Sequence, residues 1–201
     1  MTRARRDRPR TRRGSRFTSH RPASALDALT IVIDAGEQLP YVFPPADAAT
    51  ARYAIPVGDY SIAGLEDRFA IERKSLEDLF NTVIGDRARF VEELERARGY
   101  AFFAVLVEAT FREVVEYTSP RSTRISEAQR AARPATVINS LNAWAVEYGL
   151  RVYYVDRDRD LCRALVLRLA ERFYERARDA DAAARDPLAI LDGLTPGAGA
   201  P

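Results

Sequence analysis

The chain has 201 residues, 47% hydrophobic and 30% charged, with a formal net charge of +2, which suits one ordinary core rather than two. No apolar run approaches the roughly 18 residues of a membrane-spanning helix, and the charged N-terminus lacks the apolar segment of a secretion signal. The expected address is therefore the cytoplasm, or the nucleoid in a prokaryote, with no membrane partner. One cysteine, Cys162, and one histidine, His20, exclude an internal disulfide, a zinc ligand set and a Cys–His catalytic pair. Cys162 reads as a small core residue on a helix.

Residues 1–22 carry nine arginines and one acid, Asp7, leaving 22 basic against 28 acidic residues, a net of −6, in the rest. Residues 1–25 are accordingly expected to be a disordered Arg-rich tail. Such a tail is either a solubilising extension or an arm that meets nucleic-acid phosphates through charge alone. A folded domain is expected over 26–180 and a largely disordered tail over 181–201, which ends in "DGLTPGAGAP".

"LTIVID" (29–34) is a continuous β-branched run and predicts a buried strand. "ARYAIPVGDYSI" (51–62) reads as one strand interrupted at Pro56-Val57-Gly58. "RFAIERK" (68–74) returns as its hairpin partner across the short turn at 64–67. Ser75, with Asp78 three residues on, predicts the start of a helix, and an amphipathic helix follows over about 87–98 through Phe90, Val91 and Leu94. "YAFFAVLVEA" (100–109) is the most hydrophobic strand and is expected at the centre of the sheet. A short helix or turn follows at "FREVVEYTS". Residues 120–133 are polar and predict a mobile, partly helical loop, and Pro134 is placed in the first turn of a helix that closes at Gly149. "RVYYV" (151–155) is a further strand, and a long final helix begins at Asp160. Trp144 is assigned to the core. Strands alternating with helices after an initial hairpin predict an α/β fold, a mixed sheet with helices on both sides.

The 31 basic residues are 30 arginines and one lysine, Lys74, so the position of that lysine is informative. Along a strand, Glu72 and Lys74 share one face and Arg73 takes the other. The short turn brings Asp59 opposite Glu72, while Asp34 ends another strand and Glu37 follows in its loop. Four carboxylates and one ammonium can thus reach one edge of the sheet. Carboxylates a few ångströms apart raise each other's pKa, and a hard divalent cation relieves the conflict. Mg²⁺ takes one or two carboxylates together with water and substrate phosphate, the arrangement that phosphodiester hydrolysis requires. Lys74 could then orient or deprotonate a water or hold the phosphate, which the bulkier and firmly protonated guanidinium could not do as a base. The other reading of Glu-x-Lys is a solvated charge pair, and of an Asp at a strand end a turn residue. There is no Gly-rich phosphate loop or nucleotide fingerprint, which argues against a small-molecule enzyme.

Gly58-Asp59-Tyr60 followed by Glu72-Arg73-Lys74 and Asp78 resembles the GD-Y…ERKxxxD signature of the XPF-type structure-specific nuclease domains, which include the archaeal Hef nuclease. "IVIDAGEQLP" is similar to the family's first strand with its Asp-x-x-Glu, "DRARF" to its Gly-Arg segment, and "EAT" (108–110) to the end of its core strand. The resemblance runs from about residue 29 to 155. It implies a restriction-endonuclease-like mixed β-sheet flanked by helices on both sides, and a divalent-metal-dependent DNA endonuclease using Mg²⁺ or Mn²⁺. By this resemblance Asp59, Glu72 and Lys74 are catalytic, and Asp34, Glu37, Asp59 and Glu72 hold metal. Arg73 and Asp78 support the signature, Arg73 bracing the site through Asp78 or another acid, and Arg87 or Arg89 meets DNA. The implied partner is branched DNA with single-strand/double-strand junctions, in repair or recombination, with a homodimer or a helper subunit. The chain departs from the family at Gly85-Asp86-Arg87, where relatives have Gly-Arg, and after residue 155 it has no room for their helix–hairpin–helix module. The alternative within this fold is a catalytically silent DNA-binding or scaffold module; another is a different nuclease, such as a junction resolvase.

Overall fold

The computed structural model describes residues 29–118 and 126–185; the Arg-rich N-terminal stretch and residues 186–201 lie outside them. The described chain forms strands β1 (Thr30–Asp34), β2 (Ala49–Tyr53), β3 (Tyr60–Ile62) and β4 (Phe69–Ser75), then helix α1 (Leu76–Phe80), a π-helical turn (Asn81–Gly85) and α2 (Arg87–Ala97). It continues through β5 (Phe102–Glu108), α3 (Phe111–Val115), α4 (Glu127–Tyr148), β6 (Arg151–Tyr154) and α5 (Arg159–Arg185). The six strands make one sheet in the order β2-β1-β3-β4-β5-β6. β3 is antiparallel to both β1 and β4, and the other pairs are parallel, so the expected mixed sheet is present.

Strand alternation divides the core in two. Ala70, Phe103, Val105 and Val107 face a layer built from α1, the π-helical turn, α2 and α4, including Leu79, Phe80, Val83, Phe90, Leu94 and Trp144. Ile31, Ile33, Tyr60, Ile62, Phe69, Ile71 and Leu106 face α5, through Cys162, Val166 and Ala170, and the loop carrying Tyr41 and Phe43. Each large apolar side chain so buried contributes roughly 1.5–3 kcal/mol. Cys162 and Trp144 are core residues, as their apolar neighbours in sequence predict.

Four expectations are corrected. The stretch 51–62 is two strands on opposite sides of β1, β2 parallel to it and β3 antiparallel. The connection passes over the end of β1, where Asp34 takes the Ile55 amide on Oδ1 (3.0 Å) and donates its own amide to Asp59 O (2.8 Å). β5 is interior but fifth of six; its unbroken apolar run reflects parallel neighbours on both edges and helices on both faces. The helical part expected within 120–133 runs from Glu127, because Ser126 and Gln129 form a reciprocal capping box. Pro134 therefore lies inside α4 rather than in its first turn. Finally, α5 continues to Arg185, five residues into the stretch expected as tail.

Candidate active site at the end of β4

Asp59 precedes β3, and the Tyr60–Ile71 pairing with the Asp59 N–H bond to Ile71 O (2.9 Å) sets it beside Glu72 across the ladder. Gly58 makes this close turn. Its φ is +78°, and a Cβ there would lie 3.0 Å from Ile71 O, so only glycine fits without strain. The Arg73 amide donates to Asp59 Oδ2 at 2.7 Å. Burial, reinforced by the charge of Glu72, nevertheless pushes the Asp59 carboxyl up to about 8; the Arg73 amide and Lys74 oppose this, and Glu37 adds to it.

Glu72 and Lys74 point to the α2 side of the sheet, in line with Ala70. Lys74 Nζ donates to Glu72 Oε1, with both side chains largely buried. Burial disfavours the ammonium, but the adjoining Glu72 outweighs it and raises the pKa of Lys74. The nitrogen also lies 5.9 Å from the centroid of Phe90. These groups open on a cavity of about 130 Å³ lined by Glu72, Lys74, Thr82, Arg89, Phe90 and Glu93, with Asp86 at its rim. Burial and the charge of Glu72 push the Glu93 carboxyl up to about 7, against the pull of Lys74, Arg96 and the Gly58 amide.

Arg73 lies on the other face. Its Nη1 donates to Glu108 Oε2 (3.0 Å) and its Nη2 to Glu37 Oε1 (3.2 Å). Glu37 also accepts the Leu39 amide at 2.6 Å, and Glu108 Oε1 accepts the Tyr41 hydroxyl (2.8 Å) and Arg159 Nη1 (3.0 Å). Arg159 Nη2 donates in turn to Leu39 O (2.6 Å) and Pro40 O (3.2 Å). Two charged groups thus lock the loop after β1 against β4, β5 and α5. Arg73 braces the site through these acids and not through Asp78, which is occupied by Ser75 Oγ (2.7 Å) at the start of α1.

Asp59, Glu72 and Lys74 are therefore brought together. Glu37 reaches Asp59 electrostatically but is held in the ion group of Arg73. Asp34 takes the amides of Gly36 (2.7 Å) and Ile55 (3.0 Å) and behaves as a turn cap. The four expected metal carboxylates do not meet at one point; among the described residues no three Asp, Glu, His or Cys side chains form a preformed metal cage. Arg87 donates to Ser140 Oγ (2.7 Å) and lies 4.7 Å from the Trp144 ring, tying α2 to α4, whereas Arg89 lines the cavity. A larger cleft, about 600 Å³, lies beyond the end of β4 between Ser75, Glu108, Tyr117, Arg157 and Arg159, but its arginines are paired with Glu113 and Glu108.

Three residues of this arrangement are absent from the sequence expectations: Glu93, Glu108 as the partner of Arg73, and Tyr41. The signal for Glu93 is its place at i+3 from Phe90 beside Leu94, inside the apolar stripe of α2 rather than on its solvent face. Glu108 is an acid ending a wholly apolar strand, a place where a buried charge requires a partner.

The fold recurs in known proteins. The chain is 30% identical over 120 residues to the 3'-flap repair endonuclease Xpf of Saccharolobus solfataricus, a match covering 59% of this chain and 43% of that protein, so it spans less than half of its curated relative. The solved structure of XPF from Aeropyrum pernix superposes with a TM-score of 0.51 at 21% identity, over 85% of this chain and 75% of that one, which establishes the restriction-endonuclease-like α/β fold. Among the described residues, no helix is long and apolar enough to cross a membrane. The ERCC4 domain profile matches residues 33–167, two thirds of the sequence, and the chain belongs to the ERCC4 domain family.

Proposed function

We propose that this protein is a divalent-metal-dependent DNA endonuclease whose site is Asp59, Glu72 and Lys74. The observation that carries the reading is the pairing of two partly buried carboxylates across the β3–β4 ladder with the chain's one lysine on the same face. Asp59 and Glu72 supply hard oxygen donors, and burial together with the charge of Glu72 raises the pKa of Asp59, a condition a cation relieves. This donor set suits Mg²⁺ or Mn²⁺, which need only one or two protein carboxylates. Glu37 stands behind Asp59 as a supporting charge. Asp34 serves the turn that presents Asp59, in place of the direct metal contact expected from its motif.

A bound Mg²⁺ would polarise the phosphate and lower the pKa of water. The chain's own residues supply the rest. Lys74, whose raised pKa keeps it protonated, donates from Nζ to a phosphate oxygen and stabilises the charge that develops there; this favours a donor over the general-base role. The Arg73 amide fixes Asp59 Oδ2. Arg89, at the cavity rim, is placed to meet a neighbouring phosphate, and Arg87 acts as the structural tie between helices.

The relative's 3'-flap activity and the family fold favour branched DNA with a single-strand/double-strand junction, in repair or recombination, as substrate. The net charge of +8 over residues 1–22 supplies a sequence-independent attraction to phosphates; a homodimer or helper subunit would supply the reading of the branch. The test is incubation of the purified protein with duplex, fork, 3'-flap and four-way junction DNA, in Mg²⁺, Mn²⁺ or chelator. Metal-dependent cutting strongest on a branched substrate supports the reading. Tight, salt-sensitive binding with no cutting under any metal would replace it with a silent DNA-binding module.

A further inference from the structure

Lys74 has a second acidic neighbour across the cavity. α2 places Arg89, Phe90 and Glu93 on one side of the space whose other wall is Glu72 and Lys74, and Phe90 lies under the ammonium at 5.9 Å. Glu93 faces both Glu72 and Lys74 across this space, and their charges act on it in opposite senses, Glu72 raising its pKa and Lys74 lowering it. An ammonium has three donors, and Glu72 Oε1 takes one of them. The remaining charged groups around the cavity are Asp59 before β3, Asp86 at the start of α2, and Arg89.

We propose that Glu93 is a positioning residue: from the α2 wall of the cavity its carboxylate draws the Lys74 ammonium toward the open space when Glu72 turns to a metal ion. This deepens and rests on the nuclease reading. Glu72, as a metal-binding carboxylate, is shared between two demands, and a second anion facing Lys74 keeps the ammonium at the cavity while Glu72 answers the other. Glu93 joins the helix layer to the two strands that carry the site, so α2 contributes to alignment without touching the substrate. Its position in the apolar stripe, beside buried Leu94 and one turn from buried Phe90, keeps its side chain over the sheet.

The single lysine makes the test direct. Protein grown with ¹³C,¹⁵N-lysine gives one side-chain Cε–Nζ signal, that of Lys74, which can be read without DNA. Glu93→Gln and Glu93→Asp are compared with Glu92→Gln, a neighbouring exposed glutamate. The expected result is that Glu93→Gln shifts the lysine signal and lowers kcat about 10- to 100-fold, the scale for slight misplacement of a reacting group. KM for DNA stays near native and the melting temperature does not fall, Glu93→Asp recovers part of the rate, and Glu92→Gln changes neither reading. A lysine signal unmoved by Glu93→Gln in a folded protein overturns the proposal, as does a shifted signal with native kcat. Absence of cutting by the unmutated protein would overturn the nuclease reading instead, and the resonance would still decide whether Glu93 holds Lys74.

Discussion

Replacing Arg73 by leucine removes the cation between two buried acids. The guanidinium spans Glu37 at 3.2 Å and Glu108 at 3.0 Å, and the three side chains are 13%, 6% and 11% exposed. Removing one member of a buried ion group typically costs about 3–5 kcal/mol, because the remaining charge is left uncompensated. Glu108 would keep the Tyr41 hydroxyl and Arg159, so the burden falls on Glu37, left with the Leu39 amide. That places the expected loss near the lower end, about 3 kcal/mol. With a urea slope of about 2 kcal/mol per molar, the midpoint falls by about 1.5 M, and the melting temperature by about 6–12 °C for a chain of this size. Urea titration followed by circular dichroism measures this directly, and the double variant Arg73→Leu/Glu37→Leu should recover most of the loss, since apolar replacement of a whole buried ion group is often neutral. A midpoint shift below about 0.3 M for Arg73→Leu would refute the claim that this ion group holds the loop to the sheet.

Three further outcomes are expected. The Asp59 carboxyl, at about 8 in the fold against 3.8 outside it, binds more protons in the native state between those values, so stability falls as pH rises from about 4 to about 8; Asp59→Asn should flatten this dependence and be more stable than the native protein at pH 8, as read by melting temperature across pH. The same sign applies to Glu93 between 4.5 and about 7. Mg²⁺ or Mn²⁺ should raise the melting temperature more at pH 8 than at pH 5, because cation and proton compete for the same carboxylates, and the increment should vanish in Asp59→Asn. Arg87→Ala should lower stability by about 1–2 kcal/mol through loss of the Ser140 bond and the Trp144 contact, with little change in DNA affinity, whereas Arg89→Ala should weaken DNA binding in a fluorescence anisotropy titration and leave stability native.

The parts of the fold legible in the sequence are those set by period and local chemistry. The alternation of Glu72, Arg73 and Lys74, the short turn that pairs Asp59 with Glu72, the Ser75 cap and the Gly149 terminus each depend on a few adjacent residues. What could not be read depends on contacts distant in sequence. Nothing in "ARYAIPVGDYSI" indicates that its halves straddle β1, because the crossing is stabilised by Asp34, some twenty residues earlier. Asp34 itself shows the ambiguity of an acid at a strand end. Its oxygens serve backbone amides of its own turn and of the crossing loop, a use sequence cannot distinguish from metal ligation. The partners of Arg73 come from a loop before it and a strand after it, so the sequence shows that Arg73 needs an acid but cannot choose between Asp78 and a more distant one. Glu93 was legible in principle, as a charge inside the apolar stripe of a helix.

The central claim, that Lys74 acts where a guanidinium cannot, is tested most directly by single-turnover cleavage of a 3'-flap substrate in Mg²⁺ by Lys74→Arg beside the native protein. A loss of about 10²-fold or more is expected, the scale for misplacing one transition-state donor, because the bulkier guanidinium cannot take the place of Nζ between Glu72 and Phe90, with DNA affinity nearly unchanged because the positive charge is kept. Cleavage by Lys74→Arg at the native rate would contradict the claim.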